Sequence, residues 1–235
     1  GGILWWLAQF DRPFPPPRPI LGTVSARPTA QHAKRLDPEA YRQHTTRPLH
    51  RPMPTVAVIG AGMSGLMCAR TLADHGFPVT VFEKSRGVGG RMATRRTDDG
   101  LQFDHGAQYF TARDARFRRY LNSWLDDGIV RSWQGRIVVL EGGEVTEEKT
   151  GTERFVAVPS MNALCKHLAT DLDIRFQTHV DPLQRDGDQW NILDDEGATL
   201  GRFDVAVVSA PAGQTAQLLP KGSSVGAAAG DVVMR

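Results

Sequence analysis

The segment from Val56 to Glu83 restricts this chain more than any other. Val56, Ala57, Val58 and Ile59 form a continuous apolar run of the type found in parallel strands buried on both faces. A glycine turn, Gly60-Ala61-Gly62-Met63-Ser64-Gly65, ends the run. From Met63 to His75, Leu66, Ala69, Leu72 and Ala73 recur at helical spacing, and Gly76 is placed to stop the helix. Val79 to Phe82 reads as a second buried strand, closed by Glu83. A strand, a crossover helix and a second strand of this size specify a parallel sheet and an α/β fold.

Each residue type in the turn suits a dinucleotide. Gly60 permits the sharp turn, Gly62 lets backbone approach a pyrophosphate, and Gly65 lets helix and strand pack closely. The helix start faces the phosphates with unpaired N–H groups and the positive end of its dipole. Glu83, 18 residues after Gly65, is placed to accept hydrogen bonds from both ribose hydroxyls. A carboxylate there disfavours a 2′-phosphate, so NADP is not expected in this pocket. The fingerprint alone does not choose between NAD and FAD. A second glycine-rich loop, Lys84-Ser85-Arg86-Gly87-Val88-Gly89-Gly90-Arg91-Met92-Ala93-Thr94, follows at once, and two such loops suit a cofactor longer than a mononucleotide. Gly89 and Gly90 would let backbone pass close to a pyrophosphate or ring, while Arg91 offers a fork of donors to phosphate oxygens.

The 235 residues include nine of the fifteen prolines within positions 1–52, where eight basic residues face three acidic ones. The remaining positions carry a net charge of −3, which gives no support to nucleic-acid binding. Positions 1–52 read as an irregular leader without apolar periodicity, with the natural start expected near Met53 or, alternatively, an arm docking through Trp5 and Trp6. No apolar run reaches the 18 or so residues of a membrane span, and Ile3 to Leu7 is too short for a signal-peptide core. Two cysteines, Cys68 and Cys165, build no disulfide framework or zinc site. A cytoplasmic protein with no membrane partner is expected.

Downstream, Phe117, Tyr120, Leu121, Trp124 and Leu125 mark one helix face, opened by Thr111 and Asp114 as a capping box and closed by Gly128; its aromatics are expected in the core. Ile137 to Leu140 and the run Glu141-Gly142-Gly143-Glu144 predict a strand entering a tight hairpin. Ser160 is expected to cap a short helix carrying Met161, Leu164 and Leu168. Ile174 with Phe176, Trp190 with Ile192, and the apolar run Val205 to Val208 predict three further strands.

The segments VAVIGAGMSGL, EKSRGVGGRMATR and FDHGAQYFT, with VPSMNALCKHLA and FDVAVVSAPAGQ later, resemble the renalase-like branch of the flavin amine oxidase superfamily over roughly residues 53–219. The resemblance implies a glutathione-reductase-type, FAD/NAD(P)-binding Rossmann-like domain, interleaved with an α+β substrate domain. The implied division is 53–110 and 151–235 for the cofactor domain and 111–150 for the start of the substrate domain. The family pattern continues past the equivalent of Arg235 with a late Gly-Asp segment that Gly230-Asp231 echoes only superficially, so the cofactor domain is expected to be incomplete. The implied cofactor is FAD. By residue, the resemblance puts Gly60, Gly62, Ser64 and Gly65 at its pyrophosphate, with Ala61 and Met63 in the same loop. It puts Glu83 at the adenosine ribose beside Lys84, and Arg91 at a phosphate or the ribityl chain beside Gly89, Gly90 and Met92. Gly106, Ala107, Gln108 and Tyr109 would lie against the isoalloxazine, Val180 near the adenine, and Ala210 and Pro211 again near the cofactor. The implied reaction oxidises an aberrant dihydro isomer of NAD(P)H to NAD(P)+, with oxygen giving hydrogen peroxide. An amine oxidase or desaturase of the same superfamily is the alternative, and a non-catalytic nucleotide-binding fragment or an NAD-binding dehydrogenase are rivals of other classes.

Other residues invite weaker readings. His105, after Asp104, reads as a flavin-adjacent proton donor or as a hydrogen-bonded structural histidine; no ligand constellation surrounds it, so no metal is expected. Gln108 and Tyr109 are the other flavin-facing candidates, and the acid-base residue stays unassigned. Arg113, Arg116, Arg118 and Arg119 read as a solvated helix face. Cys68 reads as a small buried apolar residue. Ser64 and Ser160 lack an identifiable base, which leaves nucleophilic hydrolysis without support.

Overall fold

The computed structural model of the chain describes residues 53–220 and 222–231, so the leader lies outside the described residues. Pro54–Arg235 form one unit. Its centre is a parallel sheet of four strands in the order β13-β1-β2-β9: β1 is Val56–Ile59, β2 Val79–Phe82, β9 Asp173–Arg175 and β13 Val205–Val208. Val56 stands opposite Val79 on one side and Val205 on the other, and Thr80 opposite Asp173. The crossover from β1 to β2 is helix α1, Met63–Asp74. Its end at Gly76 (φ +81°) agrees with the sequence reading.

Strand alternation divides the core between the two sheet faces. Val56, Val58 and Val81 pack with Leu66 and Ala69 of α1 and with Leu164 and Leu168 of α3, Asn162–Leu168. Ala57, Ile59 and Phe82 turn to the other face, against Val180, Ile192 and Phe203. The last two belong to an antiparallel meander of β10 (Gln184–Asp186), β11 (Gln189–Leu193) and β12 (Thr199–Phe203). Phe203 meets Phe82 edge-to-face at 5.8 Å, which ties the meander to the parallel sheet. The sequence marks only part of β11, because β10 is wholly polar and β12 is interrupted by Gly201 and Arg202.

Between β2 and α3 the chain forms short ribbons. After a 3₁₀ turn at Gly90–Met92, β3 (Arg95–Arg96) pairs with β4 (Gln102–Phe103). Helix α2 (Ala115–Asp126) leads to β5 (Val130–Ser132), which pairs with β8 (Phe155–Ala157). Between them, β6 (Val138–Glu141) and β7 (Glu144–Glu148) form the expected hairpin, with Gly142 and Gly143 both left-handed (φ +62° and +90°) as a two-residue turn demands. Helices α4 (Ala212–Leu218) and α5 (Ser224–Gly230) follow β13, and Gly230-Asp231 is simply the end of α5.

Several expectations are corrected. Helix α2 begins three residues later than a cap at Thr111 requires: Asp114 is itself the N-cap and accepts the Arg116 N–H at 2.8 Å. Leu121 and Trp124 are buried, but Tyr120 is exposed. Ser160 does not cap α3; its hydroxyl donates to Asn162 Oδ1 at 2.9 Å. Phe176 is exposed beyond the end of β9, and Val205 is exposed because β13 is an edge strand.

Candidate functional site

The site is assembled at the carboxyl ends of β1 and β2, where the crevice of an open α/β sheet lies. Gly60 leaves β1 with its N–H donating to Phe82 O (2.8 Å). Gly65, in the first turn of α1, faces back onto this loop: a Cβ there would stand 2.0 Å from Gly60 O and 2.5 Å from Ser209 Oγ. Only a glycine lets α1 start this close to the strand. Gly62, the N-cap of α1, differs, since a Cβ on it would meet nothing within 4 Å. No side chain caps α1 and its first turn holds no acid, so an anion would find N–H groups of the first turn facing open space. Ala61 is buried; Met63 and Ser64 are half-buried at the helix start.

Glu83 is 7% exposed and forms the base of the site. Its Oε2 accepts the Ala61 N–H at 2.7 Å and its Oε1 accepts the Ser85 N–H at 2.8 Å. The carboxylate thereby braces both glycine loops. A carboxylate has about four acceptor positions, so each oxygen keeps one beyond these bonds. The position of Glu83 after β2 marks it for a ligand in the sequence, whereas this bracing depends on the tertiary meeting of β2 with the first loop. Lys84 is exposed and its Nζ donates to Gln214 of α4 at 3.3 Å.

The second loop and the Gly106-Ala107-Gln108-Tyr109 segment join the first loop in series. Gly62 and Gly89 form a parallel bridge, with the Gly89 N–H donating to Ala61 O (2.9 Å). A Cβ on Gly90 would lie 3.3 Å from Gly62 Cα. Beyond Gly90, Arg91 O accepts the Ala107 N–H (2.8 Å), and a Cβ on Gly106 would stand 2.1 Å from the same oxygen. Arg91 is exposed and Met92 half-buried. The structure therefore brings Gly60–Gly65, Glu83, Gly89–Met92 and Gly106–Tyr109 into one continuous surface of backbone.

Asp104 anchors this surface, a role the sequence did not reveal. It accepts the Thr94 hydroxyl (2.6 Å) and, through both oxygens, the Met161 N–H (3.1 and 3.2 Å) at the start of α3. His105 is exposed, and among the described residues its ring makes no hydrogen bond, so the hydrogen-bonded structural reading does not hold. Gln108 is exposed; the Tyr109 ring lies 5.5 Å from that of Trp133.

On the other side of Glu83, the chain leaving β9 crosses the ends of β2. Gln177 N–H donates to Ser85 O and Thr178 N–H to Glu83 O, at 3.1 and 3.0 Å. Val180 is buried and bridges to Asp194 through the Asp181 N–H bond to Leu193 O, which does not use its own amide. Ser209 follows β13 and its hydroxyl contacts both Ile59 O and Gly60 O at 3.1 Å. Ala210 and Pro211 are half-buried just beyond, where Pro211 is the N-cap of α4. No group of three His, Cys, Asp or Glu able to hold a metal occurs among the described residues, and no helix there is long and apolar enough to cross a membrane.

Residues 58–124 match the protein family described as the NAD(P)-binding Rossmann-like domain. The chain is also 45% identical over 67 residues to an L-glutamate oxidase precursor of Streptomyces diastatochromogenes, covering 28% of this chain and 10% of that protein. It is 51% identical over 51 residues to a 4,4'-diapophytoene desaturase (4,4'-diaponeurosporene-forming) of Staphylococcus aureus strain Newman, covering 22% of this chain and 10% of that protein. The matched stretch thus spans about a tenth of the length of either relative. The fold is that of a Rossmann-like α/β unit with a parallel sheet. It is distantly related to an oxidase and a desaturase.

Proposed function

We propose that this chain supplies the FAD-binding unit of a flavin-dependent oxidoreductase of the amine oxidase superfamily. The observation that carries the reading is the serial joining of two glycine loops and the Gly106–Tyr109 segment over the buried Glu83 carboxylate. The first loop alone would suit either NAD or FAD; three adjoining backbone segments suit a dinucleotide with a large ring system at its far end. The residues fit the group. Gly62 leaves room for a pyrophosphate at the α1 N-terminus, Glu83 retains acceptor positions for the adenosine ribose, and Arg91 is free to reach phosphate oxygens. Val180, Ala210 and Pro211 would border the same cofactor, and Gln108 and Tyr109 would lie beside its ring.

When bound, FAD accepts a hydride equivalent from substrate and passes two electrons to an acceptor such as oxygen. The chain's own part is to hold, orient and shield the cofactor. The finer reading is a renalase-like oxidation of dihydronicotinamide isomers to NAD(P)+ with release of hydrogen peroxide. In it, residues 53–110 and 151–235 serve the cofactor and 111–150 begin the substrate-facing part. Oxidation of an amine or desaturation is the second reading, favoured by the names of the two relatives.

The test is the visible absorption spectrum of the purified chain before and after denaturation, followed by reconstitution with FAD. A flavin band that is released on unfolding, and weaker retention in Glu83→Ala and Arg91→Ala, are expected. A chain that binds NAD but takes up no FAD, or variants that keep full FAD affinity, would overturn the assignment. Oxygen uptake with dihydronicotinamide isomers, compared with amines, then separates the two reactions.

A further inference from the structure

A second site lies away from the glycine loops, where two short ribbons part. The β5–β8 ladder is extended by the Trp133 N–H bond to Arg154 O (2.8 Å), and the β6–β7 ladder by the Lys149 N–H bond to Ile137 O (2.8 Å). Between these two bonds the strands separate, and residues 134–136 face residues 150–153 across a cleft of about 430 Å3. Both ends of the opening are therefore fixed, and backbone groups between them are released from ladder pairing.

The charges around the cleft are uneven. Its two acids are already engaged, Glu148 with Arg136 (3.1 Å) and Glu153 with Arg118 (2.7 Å). Its other cations, Lys149 and Arg154, have no carboxylate partner among the described residues. Arg154 Nε is moreover buried and without a hydrogen-bond partner, while Nη1 donates to Thr152 O at 3.2 Å. A buried guanidinium donor left unmatched is costly to the fold. Trp133 supplies a flat apolar wall: a Cβ on Gly135 would lie 2.8 Å from its ring, so that glycine lets the indole fold down over the cleft. Tyr109 packs against both, 5.5 Å from the Trp133 ring and 5.5 Å below the Arg154 guanidinium.

We infer that this cleft binds a small planar carboxylate, with the carboxylate on Arg154 and Lys149 and the planar part against Trp133. The inference deepens the proposed function, because Tyr109 joins the cleft to the Gly106–Tyr109 segment and would make it the place where an anionic substrate is held. The binding itself needs no cofactor, so its failure is distinct from a failure to take up FAD.

The test is calorimetric titration of the full chain with benzoate, with benzyl alcohol as the uncharged control. Saturable benzoate binding and none of the alcohol are expected, with affinity about tenfold weaker in Arg154→Gln. Lys149 lies on the exposed side of the cleft, so Lys149→Gln keeps the inference testable should Arg154→Gln fail to fold; it is expected to weaken benzoate severalfold. Absence of benzoate binding, equal binding of benzyl alcohol, or unchanged affinity in a folded variant would each overturn the inference.

Discussion

Gly65 and Gly62 stand three residues apart and have opposite reasons to lack a side chain. At Gly65 a methyl group would overlap a backbone oxygen at 2.0 Å, which no rotamer relieves. Gly65→Ala is therefore expected to cost about 1–3 kcal/mol of stability, read as a lowered urea midpoint without any cofactor. At Gly62 the space is open and φ is −80°, which any residue adopts. Gly62→Ala is expected to unfold within about 1 kcal/mol of the parent chain yet lose flavin retention, since the methyl group fills the approach to the helix N-terminus. Equal damage to stability from both would contradict this division. The close approach at Gly65 was legible from its spacing. Glu83 was legible only in part: its position after β2 marked it, whereas its bonds to Ala61 and Ser85 exist only once the two loops meet.

At the scale of elements, the start of α2 shows why local patterns leave alternatives open. Thr111 and Asp114 both suit an N-cap in sequence. Phe110 exchanges backbone hydrogen bonds with Phe155 (2.9 Å each way), holding the chain extended there, so the helix opens later, at Asp114. The bonds from Arg116, side chain first and then backbone, lower the Asp114 carboxyl to about 2 from its ordinary 3.8. Its stabilisation is thus present above pH 4 and is lost as pH falls toward 2. The melting temperature of Asp114→Asn is expected to fall less steeply than the parent's across that window; parallel curves would remove Asp114 as the source. Helix α3 makes the same point. Its expected cap, Ser160, turns to Asn162, and the Met161 N–H is taken by Asp104, 57 residues earlier.

For the molecule as a whole, the two cysteines report on the integrity of the core. Cys68 on α1 and Cys165 on α3 are both buried, and burial pushes their thiols up to about 11 and about 12. The neutral thiols favour the folded state below their ordinary value of 9.0, and that contribution is lost as pH rises through the folded values. At pH 8 neither thiol is expected to react with an aromatic disulfide reagent in the native chain, and both are expected to react in denaturant. Rapid native labelling of either would mean that the face of the sheet covered by α1 and α3 opens readily.

The sequence by itself determined the strand, glycine turn, helix, strand and acid of the dinucleotide fingerprint, because apolar runs, helical spacing and glycine positions are local properties. It also determined the Gly142-Gly143 hairpin, whose turn depends on backbone freedom at two adjacent residues. The tertiary structure alone decided the polar meander that covers Phe82, the bracing of both loops by Glu83, and the anchoring of Thr94 to α3 through Asp104. It also opened the cleft beside Trp133 where two ribbons part. Each of these joins residues far apart in the chain by hydrogen bonds or shared burial, which no periodicity or spacing encodes.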